Sequence, residues 1–318
     1  MITSQPKQMK PSSISIWKFN IPVIIASSLM LIIFGCKEKK PVQESTVHQS
    51  FGPEKGHLVI AGGNLTDTTI FNKFMEVAGG PDAPIVIVST ARTDDEIHKE
   101  FYQQQRNRFE AYGFRNFTFL HARNRDTANM EMFTKPISEA SGIWFLGGRQ
   151  WRLVDAYTDT KTLQAFNKLL DRGGVIGGSS AGASIQADFL VRGDTKTNTV
   201  MMGDHQEGFG FLKNVAIDQH LLAMNRQFDI FEILDAHPDL LGIGLDENTA
   251  IIVSGNSFEV MGKSYVAIYD GAFYKEVRDK DDWSHVAGEI TPLPDGSRKF
   301  YLLKNGQKYD LVNRKVIE

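Results

Sequence analysis

Apolar and polar positions fall into blocks along most of this chain. Short runs that are apolar throughout end in glycine or other small residues, and stretches with helical spacing stand between them. "HLVIAGG", His57 to Gly63, reads as a buried strand. Thr68 to Val77 places its apolar residues on one helical face, with Asp67 as the cap. "APIVIVST", Ala83 to Thr90, is a second strand with a continuous β-branched run. Asp94 to Tyr112 follows as an amphipathic helix that looks exposed, stopped by Gly113. "NFTFLHA", Asn116 to Ala122, and "GIWFLGG", Gly142 to Gly148, are the third and fourth strands. Thr160 to Leu170 is a helix capped near Asp159, and "VIGGSS", Val175 to Ser180, is the fifth strand. Strands without a polar face, alternating with helices, predict an α/β fold with a parallel sheet covered on both sides.

From Leu241 onward the pattern changes. "GIGLDE", "TAIIVSG", "SFEVMG" and "YVAIYDG" follow one another as short strands, separated by turns such as Ser254-Gly255-Asn256. In "YLLKNGQKYDLV", Tyr301 to Val312, the Asn305-Gly306 pair predicts a hairpin. The expected organisation is a domain over residues 57–270 and a β-rich, antiparallel extension over 271–318.

The N-terminus is a separate object. Lys7, Lys10 and Lys18 form a positive leader without an acidic residue, and Ile21 to Phe34 is nearly all apolar. Roughly fourteen residues suit the apolar segment of a signal peptide and are short for a bilayer span. "IIFGC", Ile32 to Cys36, resembles the lipobox of bacterial lipoproteins, with a bulky Phe34 as a departure. Residues 1–36 are therefore expected to be a lipoprotein signal peptide ending at a lipidated Cys36, and residues 37–56 a polar tether. The expected location is a bacterial cell envelope, with the chain exported and membrane-anchored. Cys36 is the only cysteine, so no intramolecular disulfide forms and no thiol remains for catalysis. A formal net charge of −3, with no basic block in the body, argues against nucleic acid as a partner.

Gly178-Ser179-Ser180-Ala181-Gly182 is a G-x-S-x-G sequence between a predicted strand and a predicted helix. That context makes it a nucleophile elbow, a turn so tight that its neighbours must be small and Ser180 is thrust outward. A helix N-terminus favours a developing anion there, and the Ala181 N–H is a natural oxyanion donor. A serine needs a base. His121 and His220 both end apolar strands, and His220, closing "VAIDQH", is the better placed, because sites form at the carboxyl ends of parallel strands. An orienting carboxylate is offered by Asp246 and Glu247, adjacent residues that point to opposite faces, so one of the two serves. "FLGGRQ", Phe145 to Gln150, adds the Gly148 N–H as a second oxyanion donor and the Gln150 amide as a substrate contact. Its spacing does not fit a dinucleotide-binding loop.

Taken in order, "FLGGRQ", "GGSSAGAS", "IDQH" and "GIGLDENTA" resemble the cyanophycinase-like serine peptidases, the family that also holds the aspartyl dipeptidases. The resemblance covers His57 to Asp270. It implies a fold related to class I glutamine amidotransferases, a flavodoxin-like three-layer sandwich with a mostly parallel sheet. It makes Ser180 the nucleophile, His220 the base and Glu247 the orienting acid, and it sets Gln150, Asp218, Gln219 and Arg226 near the substrate. Some positions depart from the family. Met224 and Asp229 stand where arginines are expected, Arg226 remains, and Arg149 replaces an acidic or amide residue. Such changes alter the charge that the pocket prefers.

The expected activity is hydrolysis of peptide or isopeptide amides through an acyl-enzyme, on cyanophycin or aspartyl-containing peptides, with no metal or organic cofactor. An aspartyl dipeptidase or other small-peptide hydrolase, and a non-catalytic binding lipoprotein on the same fold, are the alternatives. A peptide or aspartyl polymer and the membrane are the expected partners, and a homodimer is left open.

Overall fold

The computed structural model describes residues 50–271 and 299–317. The signal segment with Cys36, most of the tether and residues 272–298 of the extension lie outside the described residues. The first half of the chain runs β1 (His57–Ala61), α1 (Thr68–Val77), β2 (Ile85–Val88), α2 (Lys99–Ala111), β3 (Phe117–Leu120), α3 (Arg125–Ala128), α4 (Glu131–Glu139) and β4 (Gly142–Phe145). There follow α5 (Gln150–Tyr157), α6 (Lys161–Asp171), β5 (Val175–Ser179), α7 (Ala181–Ser184), β6 (Ala187–Phe189), β7 (Leu212–Gln219) and α8 (Phe231–Ala236). The rest is β8 (Leu241–Leu245), β9 (Thr249–Ser254), β10 (Ser257–Gly262), β11 (Val266–Tyr269), β12 (Tyr301–Leu303), β13 (Lys308–Asp310) and β14 (Lys315–Ile317).

Local chemistry sets several boundaries. Asp67 caps α1 as its side chain accepts the Thr69 N–H. The second helix begins at Lys99, not at Asp94, because His98 is its cap and accepts the Phe101 N–H. Thr160, not Asp159, caps α6. Helices α3 to α5 are not signalled by the sequence pattern, and α4 carries Pro136 within it.

Among the described residues, nine strands form one sheet in the order β14-β13-β10-β9-β1-β5-β4-β2-β3. From β1 to β3 all neighbours in it are parallel. Strands β3-β2-β4-β5 reproduce the 2-1-3-4 order of a flavodoxin-like sheet, with β1 in the next place. The winding reverses between β2 and β4, which opens a crevice at their carboxyl ends. The antiparallel strands β9, β10, β13 and β14 extend the sheet beyond β1.

The sequence pattern does not announce the second sheet, ordered β12-β11-β8-β7-β6. Strand β8, expected to be antiparallel, pairs in parallel with β7, with α8 as the crossover. The Asn305-Gly306 hairpin is also corrected. Strand β12 pairs with β11 in the small sheet, whereas β13 pairs with β10 in the large one. The turn hands the chain from one sheet to the other, with Gln307 N–H donating to Lys304 O at 3.1 Å and Gly306 N–H to Val260 O at 2.8 Å. The described part of the extension is thus built into both sheets. Asp270 Oδ2 secures it by accepting the hydroxyls of Tyr301 and Tyr309 at 2.7 and 2.9 Å. At the other end, Phe51 is buried and Gly52 N–H donates to Gly255 O at 3.1 Å, so the last residues assigned to the tether belong to the body.

Alternation along the strands separates the layers. Leu58 and Ile60 of β1 face a core shared with α6 and the small sheet, whereas Val59 and Ala61 face α1 and α2. The other face of the small sheet packs on α8 through Ala216 and Ala267. No helix among the described residues is long and apolar enough to cross a membrane.

Phe74 of α1 is fully buried and meets Trp144 of β4 edge-on, with ring centroids 5.1 Å apart. Phe74→Ala is expected to lower stability by about 3–5 kcal/mol, read as a shifted urea midpoint with an unchanged slope.

Candidate active site

Strand β5 ends at Ser179, and Ser180 turns the chain with φ 57° and ψ −116°. That conformation is strained for a serine and is the elbow geometry. The flanking glycines are there for space. A Cβ on Gly178 would lie 2.3 Å from Gly182 O, and one on Gly182 would lie 2.3 Å from Phe145 O. Helix α7 is a single turn, so local N–H groups rather than a long helix dipole act here. Ala181 N–H heads that turn, and Gly148 borders the same space as Ser180.

His220 follows β7 of the small sheet, and Glu247 lies in the connection from β8 to β9. Ser180 Oγ is 3.0 Å from His220 Nε2, and His220 Nδ1 is 2.7 Å from Glu247 Oε1. The carboxylate only accepts, so Nδ1 carries the hydrogen and Nε2 of the neutral ring accepts the Ser180 hydroxyl. Three successive carbonyls at the end of β1 align these parts. Ala61 O accepts from Ser180 N–H at 3.1 Å, Gly62 O from His220 N–H at 3.1 Å and Gly63 O from Asn248 N–H at 3.0 Å. The three donors share the left-handed region, with φ of 57°, 54° and 53°. Gly63 must lack a side chain, because a Cβ there would lie 2.3 Å from His220 Cε1.

The two candidate carboxylates divide their work. Asp246 is buried and accepts the N–H groups of Leu222 and Ala223 at 2.9 and 3.0 Å and the Ser264 hydroxyl at 2.5 Å. It shapes the turn after His220, and Glu247 meets the imidazole. The Glu247 carboxyl is held below the ordinary glutamate range, first by the hydrogen bond from Asn64 Nδ2 at 2.7 Å and, against an opposing effect of burial, by His220. His121 is engaged elsewhere, with Ser89 and Asp94 each 3.1 Å from its ring, and burial pushes its pKa down.

The four expected substrate contacts, Gln150, Asp218, Gln219 and Arg226, have partners within the protein. Gln150 is buried, and its Nε2 donates to Val191 O and Arg192 O at 2.6 and 2.9 Å. Both amide hydrogens are thereby occupied. Asp218 is fully buried and holds Arg192 bidentately, with both bonds at 3.0 Å. Asp229, 41% exposed, completes that cluster at 2.6 Å from Arg192 Nη2. Arg226 Nη1 donates to Gln219 O at 3.0 Å, tying these two residues together. Arg192, 2% exposed, is the residue the sequence reading missed in this group. Met224 is exposed.

A cavity of about 280 Å³ opens on Ser180. Its wall includes Arg92, Phe101, Gln105 and Arg108, none of which the sequence reading singled out. Phe101, Gln105 and Arg108 recur on one face of α2, a signal present in the sequence but hidden in a strongly polar helix. A wider cavity of about 460 Å³ beside α8 and Asp270 is lined by no part of the serine–histidine–carboxylate line, whereas Ser180 and His220 line the smaller one. No cluster of His, Cys, Asp or Glu suited to a metal ion occurs among the described residues.

Residues 58–261 match the model of peptidase family S51. The chain belongs to this family. It is a serine-type peptidase with a flavodoxin-like fold. Cyanophycinase of Geminocystis herdmanii is 29% identical over 265 residues, which cover 81% of this chain and 93% of that protein. Cyanophycinase of Synechococcus elongatus is 28% identical over 284 residues, covering 87% of this chain and 85% of that protein. Among solved structures, a peptidase from an acI-B1 Actinobacterium superposes with a TM-score of 0.59 at 23% identity, covering 82% of this chain and 99% of that one, a likeness of fold.

Asn64→Ala is expected to raise the Glu247 pKa toward its ordinary value, followed by carboxyl carbon NMR titration. In the parent, stabilisation from this depressed carboxyl is present above its unfolded pKa and fades as pH falls through the folded value. The variant should show a smaller loss of stability over that acidic window.

Proposed function

We propose that this S51 peptidase is an exported, lipid-anchored hydrolase of the cyanophycinase type, cutting amide bonds in cyanophycin or in aspartyl-containing peptides. One observation carries the catalytic reading: the continuous hydrogen-bonded line from Ser180 through His220 to Glu247 at the mouth of a cavity. In this reading His220 Nε2 takes the Ser180 proton as Oγ attacks the amide carbon. The N–H groups of Ala181 and Gly148 hold the oxyanion. Imidazolium, steadied by Glu247, then protonates the leaving amine, and water releases the acyl group through the same base. Oxyanion donors of this kind contribute about 3–4 kcal/mol to such reactions.

A small aspartyl-peptide hydrolase is the second reading. It is favoured by the hydrogen bond that holds Arg226 to Gln219, which leaves fewer guanidinium groups to grip a polymer. A pure binding protein would have no need of an aligned serine, histidine and carboxylate. The full-length protein in detergent is expected to release soluble dipeptide from insoluble cyanophycin, and Ser180→Ala is expected to release none. Cleavage of small aspartyl peptides without release from the polymer would select the second reading. Failure of a fluorophosphonate to label Ser180 in folded protein would select the binder.

Support for export and anchoring comes from the positive leader, the short apolar segment and the "IIFGC" sequence before the body. In a bacterial host the chain is expected to incorporate labelled palmitate, and Cys36→Ala is expected to incorporate none.

A further inference from the structure

The Gly147-Gly148 loop lies directly beside the nucleophile, since a Cβ on Gly147 would fall 3.7 Å from Ser180 Oγ. An N–H group stabilises an oxyanion well only if its peptide is held in place before the charge develops. Glycines do not hold themselves, and Gly148 has a φ of 151°, where other residues are strained. Support comes from the strap Thr90-Ala91-Arg92 that follows β2. A Cβ on Gly148 would lie 2.3 Å from Ala91 O, so that carbonyl is packed against the Gly148 backbone. Ala91 O also accepts the Arg149 N–H at 2.9 Å, which fixes the planar peptide between Gly148 and Arg149. Two guanidinium groups in turn hold the strap. Arg152 Nη1, from α5, donates to Ala91 O at 2.9 Å. Arg123, beyond β3, donates through Nη1 to Thr90 O at 2.8 Å and through Nη2 to Arg92 O. Three successive carbonyls are thereby taken by two side chains.

Arg123 has a carboxylate partner in Asp94. The hydrogen-bond acceptor of Arg152 among the described residues is the Ala91 carbonyl, and its Cζ stands 5.0 Å from the centre of the Trp151 ring. Burial, and then the charge of Arg123, push the Arg152 pKa down, against an opposing pull from Glu96. A cation kept in such surroundings costs free energy, and what it supplies in return is the placement of one carbonyl. Arg152 lines a separate cavity of about 240 Å³ with Thr93 and Trp151, not the one that opens on Ser180. It therefore acts through the strap and not by touching a ligand at Ser180. We propose that Arg152 is a positioning residue for the hydrolysis. It holds Ala91 O, with Arg123 securing the carbonyls on either side, so that the Gly148 N–H is presented to the oxyanion. The inference rests on Ser180 being the nucleophile and Gly148 an oxyanion donor.

The test compares two covalent reactions at one site. A fluorophosphonate reacts through Ser180: Oγ bonds to phosphorus, His220 takes the proton, fluoride leaves, and the phosphoryl oxygen draws on the oxyanion donors. Diethyl pyrocarbonate instead acylates the neutral His220 ring, a reaction in which those donors have no part. Both rates are read by mass spectrometry on peptides of the full-length protein, modified in detergent. Arg152→Met is expected to slow the labelling of Ser180 about 10- to 100-fold, the scale for a slightly misplaced catalytic group. It is expected to leave the rate at His220 unchanged, which a general loosening of the fold would not. Arg152→Lys keeps the charge and a donor, and should lose less. Arg125→Gln, at a half-exposed arginine beside Asp159, is the control and should change neither rate. Circular dichroism checks folding. If Arg152→Met does not fold, Arg152→Lys decides by the same pair of rates. Equal Ser180 labelling in parent and variant, or a matching change at His220, would overturn the inference and leave the serine-peptidase reading in place. No labelling of Ser180 in the folded parent would overturn both together.

Discussion

The backbone at the end of β1 is the constraint on which the rest of the site depends. Ala61, Gly62 and Gly63 offer consecutive carbonyls to Ser180, His220 and Asn248, and these come from three distant parts of the chain. Each donor sits at a left-handed φ, at a cost of about 1–3 kcal/mol apiece for such residues. Strain of this size persists only where neighbours leave no alternative. Here the surrounding strands do so, since Gly62 N–H also donates to Thr249 O at 2.9 Å. The large sheet supplies Ser180, the small sheet supplies His220, and the connection between them supplies Glu247. A shared anchor on β1 brings residues of two sheets into one hydrogen-bonded line.

A buried cation organises the polar residues behind that geometry. Arg192 is almost completely enclosed, and an enclosed guanidinium requires acceptors. Burial pulls its pKa down, but Asp218 and Asp229 outweigh it and keep the charge in place. Gln150 holds the carbonyls of Val191 and Arg192, so the cluster is braced from the backbone as well. Gln150 and Asp218, expected from the resemblance near the substrate, are hydrogen-bonded within this cluster.

Much of the chemistry was legible in the chain itself. Continuous apolar runs ending in small residues are enough to locate β1, β2, β4 and β5, because a strand buried on both faces admits little else. G-x-S-x-G between such a strand and a helix is enough to place Ser180 at an elbow, because few sequences tolerate that turn. His220 was legible as a residue at a strand's carboxyl end. The strand pattern did not choose between Asp246 and Glu247, because neighbouring residues just past a strand differ only in the direction they face; the family resemblance pointed to Glu247.

Sequence by itself therefore determined the central sheet and the elbow that carries Ser180, since these follow from local sterics and period. Tertiary structure alone decided the partners. Alternating apolar residues say which face of β8 or β12 is buried but not which strand lies beside it, so the small sheet and the crossing at Asn305-Gly306 stayed hidden. Arg192 meets Asp218 and Asp229 across 26 and 37 residues, and no local pattern specifies such a pairing. The inward face of α2 was masked by its polarity, because a helix wall that lines a solvent-filled pocket needs no more apolar residues than an exposed one. Long-range packing decides which polar side chain faces a ligand and which faces another part of the same protein.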